Sequence, residues 1–229
     1  MSEAAKRLID AWTLEQAEAA RAEGVPEADA VVRAAHAANA GRAEDAAAAL
    51  HAALRGCQDI RLLFLGFQFF FRGGDLAAAE ELCVRRLAIA ERGGENEHVA
   101  RACTNLGLVH LMSGRLDSAQ AWCERALGID ERLGNPLGTA RDLGNLANVF
   151  EARREFEAAE RLNLRSLAIA EAIGDRYLAA GKLANLGDIA EATGRRAEAR
   201  RLWERAASAF DEAGNPELSR VYRDKARDG

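Results

Sequence analysis

Apolar residues recur along most of this chain with the spacing of an amphipathic helix. Between residues 137 and 153, four apolar residues fall at i, i+3, i+4 and i+7 and therefore share one helical face: Leu143, Leu146, Ala147 and Phe150. Polar residues 153–155 predict a short turn after this stripe. A second stripe begins at Phe156 and predicts a second helix, which ends before Gly174.

The same pattern returns with a period of forty residues. Four series of residues occupy one position in successive periods: Gly94, Gly134, Gly174 and Gly214; Ala79, Ala119, Ala159 and Ala199; Asn105, Asn145 and Asn185; and Leu87, Leu127 and Leu167. In a fifth series, Gly74, Gly114 and Gly194 leave one slot that Arg154 fills. The sequence therefore predicts repeated units, each a pair of antiparallel helices that we call A and B.

Turn residues mark the predicted helix ends. Gly174 suits the left-handed conformation that closes a helix, and Asp175 suits the N-cap of the next one. Pro136 and Pro216 follow an asparagine and fit the first position of a helix, where no backbone N–H is needed.

These repeats resemble the tetratricopeptide repeat family. Its Leu-Gly pair corresponds to Leu106-Gly107, Leu146-Ala147 and Leu186-Gly187, and its small residue at the helix crossing to Ala119, Ala159 and Ala199. Trp203 matches a later aromatic position, and the forty-residue period resembles the longer repeats of LGN/Pins adaptors and kinesin light chain. The resemblance implies an all-α fold, an α-solenoid in which antiparallel helix pairs form a right-handed superhelix with the A helices lining its concave side.

We expect one solenoid domain built from successive units. Residues 1–25 are predicted to form an N-terminal capping helix, and residues 26–55 a divergent repeat. The predicted units that follow are repeats over 56–94, 95–134, 135–174 and 175–214 and a C-terminal capping helix over 215–229. End helices of this kind are needed because each repeat buries its apolar face only against its neighbours.

Polar residues return on the A-helix face opposite the apolar stripe. Asparagine inside a helix costs roughly half a kcal/mol relative to alanine, so its threefold return at one slot needs a cause. In one interpretation, the amides bind the backbone of an extended peptide and neighbouring arginines bind its carboxylates, as in the clamp of tetratricopeptide domains. In the other, the asparagines bond the neighbouring helix and fix repeat packing. The candidate peptide-binding residues are Arg101, Asn105, Arg141, Asn145, Asn148, Asn185 and Asp188.

The candidate face also predicts the charge of its ligand. An acidic partner segment would place its negative end near Arg101 and Arg141 and a neutral or positive end toward Asp188.

The helix predicted near residue 64 is unusually rich in phenylalanine. We expect Phe67 and Phe70 in the core, whereas Phe64 and Phe71 either pack against the N-terminal helices or protrude as an apolar anchor. An exposed patch of this kind would imply a partner or a homodimer interface.

Charge and cysteine spacing exclude several classes of function. The chain has 31 Lys and Arg against 36 Asp and Glu, a net charge of −5 that disfavours nucleic-acid binding. Its longest apolar run, residues 62–71, is half the roughly 20 residues of a membrane span. No CxxC pair, nucleophile motif or phosphate-binding loop occurs, so we expect no enzyme, no metal and no cofactor. Without a secretory signal, the expected location is the cytoplasm.

The sequence thus favours a protein–protein interaction scaffold that binds a peptide or partner segment in a concave groove. Two alternatives stay open at this point. One is a self-associating module that uses the patch from Phe64 to Phe71, and the other is a regulator that senses a small molecule.

Overall fold

The computed structural model describes residues 17–228, except for the side chain of Asn39. These residues form a series of consecutive helices. Most of the capping helix predicted over 1–25 lies outside them; residues 17–22 are helical and form α1. The remaining helices are α2 (Ala28–Asn39), α3 (Ala43–Leu54), α4 (Ile60–Gly73), α5 (Leu76–Gly93), α6 (Asn96–Met112), α7 (Leu116–Leu133), α8 (Pro136–Ala152), α9 (Phe156–Ala172), α10 (Arg176–Ala192), α11 (Arg196–Glu212) and α12 (Pro216–Asp228). Residues 17–228 contain no strand, which confirms the all-α prediction.

The chain divides into two compact units, the first up to Ala102 and the second from Cys103, so that α6 contributes to both. In the first unit, α2 packs on α3 and α4 packs on α5. In the second, consecutive helices from α7 to α12 pack against one another. The second half of α6, α8 and α10 are the A helices of this unit, and α7, α9 and α11 are its B helices.

Side-chain caps begin the A helices where the sequence predicts them. The side chains of Asn135 and Asp175 accept hydrogen bonds from the backbone N–H groups of Gly138 and Leu178, three residues further on. Asn215 caps α12 in the same way. These oxygens satisfy backbone donors that the first helical turn leaves free.

Small residues let the A and B helices of one repeat approach closely. A side chain at Gly107 would place its Cβ 2.6 Å from Sγ of Cys123, and one at Gly187 would place it 2.5 Å from the Trp203 ring. Trp203 is buried, and a large side chain at this crossing is accommodated only because its neighbour on the A helix has none.

Candidate ligand-binding face

The A helices of the second unit lie side by side. The Thr104 hydroxyl in α6 donates to Oδ1 of Asp142 in α8 at 2.7 Å, and the amide of Asn185 in α10 donates to Oδ1 of Asn148 in α8 at 3.4 Å. The ammonium of Lys182 in α10 lies against Gly144 in α8, within 2.0 Å of where a Cβ would stand. Equivalent slots of the repeats therefore meet across both helix junctions.

The second-unit residues predicted to bind a peptide lie on these three helices. We call Asn105, Arg141, Asn145, Asn148 and Asn185 the asparagine face; the four asparagines are half-buried and Arg141 is exposed. The hydrogen bond between Asn148 and Asn185 shows that part of the asparagine face joins neighbouring A helices. Within residues 17–228, the side-chain amides of Asn105 and Asn145 make no hydrogen bond, so their donors and acceptors are open to a ligand.

The two arginines predicted to bind carboxylates are both exposed. Arg141 in the second unit and Arg101 in the first form no ion pair with any residue of the described chain. Other arginines do form such pairs, for example Arg195 with Glu160 at 2.8 Å. The guanidinium groups of Arg101 and Arg141 are thus free to meet an anionic ligand.

Other residues of the chain already bind the side chain of Asp188. Its Oδ1 accepts hydrogen bonds from the Trp203 indole at 2.8 Å and from the Lys225 ammonium at 2.7 Å. Lys225, which α12 supplies, also lies over the rings of Trp203 and Tyr222, 5.3 and 5.4 Å from their centres. The negative charge predicted to receive the positive end of a ligand is therefore already paired.

A buried pair of carboxyl groups lies behind the asparagine face. Asp142 and Asp130 are buried, and Asp130 accepts a hydrogen bond from the Asn135 amide at 3.0 Å. Burial, opposed by the Thr104 hydrogen bond and aided by Asp130, raises the pKa of Asp142 to about 7. At neutral pH the Asp142 carboxyl group is therefore protonated for part of the time.

The phenylalanine-rich helix mostly packs within the first unit. Phe67 and Phe70 are buried, as expected, while Phe64 and Phe71 are half-buried. The Phe67 ring lies 5.9 Å from that of Phe64 and 5.3 Å from that of Phe71. The side chains thus form one aromatic row, and only part of it is exposed.

Sequence reasoning missed several buried polar residues, among them Arg86, Asp142, Asn163 and Lys182. The signal that could have found them is a break in a repeat series. Arg86 stands where later repeats have Ala126, Ser166 and Ala206, and Asn163 stands in the series Cys83, Cys123 and Trp203. Periodicity draws attention to residues that recur, and these residues do not.

The described residues offer little for catalysis. Burial raises the pKa values of the Cys83 and Cys123 thiols to about 12, so neither is a ready nucleophile. No group of three or more His, Cys, Asp or Glu residues in the described part of the chain could hold a metal ion. Among these residues no helix combines the length and the hydropathy needed to cross a bilayer.

Comparison with known proteins agrees with the helix pairs. The sequence model of the tetratricopeptide repeat matches residues 60–132 and, shifted by one period, 100–172. The chain belongs to the tetratricopeptide repeat family. No curated protein matches it.

Solved tetratricopeptide structures share the fold at low sequence identity. A putative kinesin light chain protein from Podosopora anserina is 16% identical with a TM-score of 0.64, over 81% of this chain and 95% of that one. A thermophilic tetratricopeptide protein from Thermus thermophilus is 20% identical with a TM-score of 0.57, over 87% and 98%. A signal transduction ATPase from Pyrococcus horikoshii, which has a tetratricopeptide repeat sensor, is 16% identical with a TM-score of 0.66, over 88% of this chain and 31% of that one. At these identities the likeness concerns the fold alone.

Proposed function

We propose that this tetratricopeptide repeat protein is an interaction scaffold that binds an extended segment of a partner protein along the asparagine face. The observation that carries the proposal is the state of Asn105 and Asn145. Both are half-buried at one repeated slot, and neither amide has a hydrogen-bond partner among residues 17–228. An asparagine inside a helix lowers helix stability relative to alanine. When its amide forms no hydrogen bond within its own chain, no such bond offsets this loss.

The chemistry of the face suits a peptide backbone. Each free amide offers a donor and an acceptor, which is what an extended chain presents along its length. The helices hold these groups in place before binding, so little ordering cost falls on the scaffold. The packing interpretation accounts for Asn148 and Asn185, which bond each other, but not for the other two asparagines.

The charges favour an acidic segment. Arg141 is exposed and has no carboxylate partner within the described residues, and a guanidinium binds a carboxylate through two parallel N–H groups. Lys225 already neutralises Asp188, so a matching positive end on the ligand is no longer required.

The test begins with peptides selected for binding to the full chain from a displayed library of extended sequences. Their dissociation constants are then measured by fluorescence anisotropy for the wild type and for the double variant Arg141→Glu, Asn145→Ala. We expect affinity to fall by at least about tenfold, because a charge-assisted hydrogen bond contributes about 1.5–3 kcal/mol. The melting temperature should change little, because neither side chain bonds another residue.

The control is Arg161→Glu, an equal charge change at an exposed position of the B helix α9. It should leave peptide affinity within about twofold. Equal affinities for the wild type and the double variant would refute the proposal, and a loss of many degrees in melting temperature would show that these residues serve packing.

The other two functions have less support. Phe67 and Phe70 are buried, so the phenylalanines of this patch that remain for a homodimer interface are the half-buried Phe64, Phe69 and Phe71. The sensor of the Pyrococcus protein shows that a tetratricopeptide array can serve in sensing, but the likeness to it extends to the fold only.

A further inference from the structure

Arg86 is a buried arginine whose hydrogen-bonding capacity is unused. It lies on the B helix α5 and is 6% exposed. Its Nε and Nη1 are enclosed and have no hydrogen-bond acceptor. Burying a guanidinium in this way is costly, and proteins ordinarily compensate it with a carboxylate or with carbonyl groups.

No negative charge compensates Arg86 in the part of the chain that the structure describes. None of the ion pairs among residues 17–228 includes it. Burial is the main cause that lowers the pKa of Arg86, the Cys83 thiol opposes it, and the cation Arg101 lowers it further. Arg101 is exposed and lacks an ion pair within the same residues. Two positive charges of the first unit therefore act on each other, and neither forms an ion pair within the described residues.

An aromatic ring holds the guanidinium in a fixed orientation. Cζ of Arg86 lies 4.8 Å from the centre of the Phe64 ring, and Phe64 in turn stacks on the buried Phe67. A guanidinium over a ring face keeps its N–H groups at the edge of the stack, where they can bind in the guanidinium plane. The partner that matches two coplanar N–H donors is a carboxylate.

The repeats show that the fold does not need an arginine here. The same B-helix slot holds Ala126, Ser166 and Ala206 in the later repeats, and all three are buried. A small side chain therefore satisfies the architecture, so a large buried cation at this slot calls for a reason other than packing.

We infer that Arg86 and Arg101, with Phe64 as the supporting ring, form a carboxylate-binding site for an acidic side chain of the bound partner. Only the source of the carboxylate rests on the function proposed above; the site itself belongs to the first unit. Arg86 supplies the planar pair of donors, and Arg101 adds a second positive charge at the surface.

The test uses the full-length protein and an acetylated tetraglutamate peptide, at constant ionic strength. We expect the peptide to shift the NMR signal of the Arg86 Nε–H group. The variant Arg86→Met should bind the peptide at least about tenfold more weakly, because it removes the charge-assisted hydrogen bonds to the carboxylate. Without peptide, this variant should melt at the same temperature as the wild type or higher, because it removes an uncompensated charge while keeping an apolar stem of similar length.

Two control variants make the outcomes separable. Arg132→Met removes an exposed arginine of the second unit and should leave tetraglutamate affinity unchanged. The double variant Arg141→Glu, Asn145→Ala tests the asparagine face, whereas Arg86→Met tests the carboxylate site. Each of the two proposals can therefore be refuted without affecting the other.

Three results would overturn the inference. One is equal tetraglutamate affinity in the wild type and Arg86→Met. Another is a marked loss of melting temperature in that variant, which would make Arg86 a structural residue. The third is a shift of the Arg86 signal with inorganic phosphate but not with tetraglutamate, which would assign the site to a different anion.

Discussion

Asn163 is fully enclosed in α9, and neither its side-chain oxygen nor its nitrogen has a hydrogen-bond partner. An unsatisfied buried amide costs about 1–3 kcal/mol. The preceding repeats hold Cys123 and Cys83 at this slot, both buried, so the repeats themselves supply an apolar replacement of similar size.

The variant Asn163→Cys should therefore be more stable than the wild type, by about 1–2 kcal/mol of unfolding free energy. Urea denaturation under reducing conditions measures this difference. As a control, Asn145→Cys changes a half-buried amide with access to water and should alter stability by less than about half as much. A less stable Asn163→Cys would mean that the amide is satisfied in solution.

The turn between α8 and α9 has an arginine where the equivalent turns of the neighbouring repeats have a glycine. Glycine occupies the left-handed position at Gly114 and Gly194, with φ of 71° and 79°, whereas Arg154 adopts φ of 62° at the same slot. For a residue with a Cβ, the free energy of this conformation is about 1–2 kcal/mol higher than that of the right-handed region. The two helices that this turn connects, α8 and α9, pack against each other.

Replacing Arg154 with glycine should stabilise the protein by about 1 kcal/mol. The gain is partly offset, since Arg154 also lies over the Phe156 ring at 5.8 Å. The reciprocal variant Gly194→Arg should be destabilised by a similar amount. Thermal and urea denaturation of both variants check the pair; destabilisation of Arg154→Gly would show that the ring contact outweighs the backbone strain.

For the molecule as a whole, the buried carboxyl group of Asp142 couples stability to pH. The pKa of Asp142 is 3.8 in an exposed chain and rises to about 7 in the folded protein. Between these values the folded state holds a proton that the unfolded state has lost, so this group's contribution to stability falls as pH rises from about 4 to about 7. The groups that influence it are Thr104, Asp130 and Arg141.

The variant Asp142→Asn should remove this part of the pH dependence. Its amide can accept from Thr104 and donate to Asp130 without titrating. The variant should gain stability relative to the wild type as pH increases from 4.5 to 8, as measured by urea denaturation across that range. Parallel stability curves would show that Asp142 is ionised at neutral pH.

The positions of the helix pairs could be predicted from the amino-acid pattern. The series of glycines and alanines predicts where helices end and cross, and Gly187 against Trp203 shows such a crossing. The apolar stripes carry this information because burial of one face is a local, periodic property. The same reasoning placed Phe67 and Phe70 in the core and the candidate asparagines on A helices.

The partners of the individual polar side chains could not be predicted in the same way and are known from the folded structure. Of the four asparagines on the asparagine face, two form a hydrogen bond with each other, and the side chains of the other two form none within the described chain. The sequence pattern does not distinguish between them. Lys225 lies 37 residues from Asp188 and pairs with it, and Arg86 of α5 lies over the Phe64 ring of α4. Such pairings depend on distances between different helices and on burial, and neither follows from a pattern read along one helix.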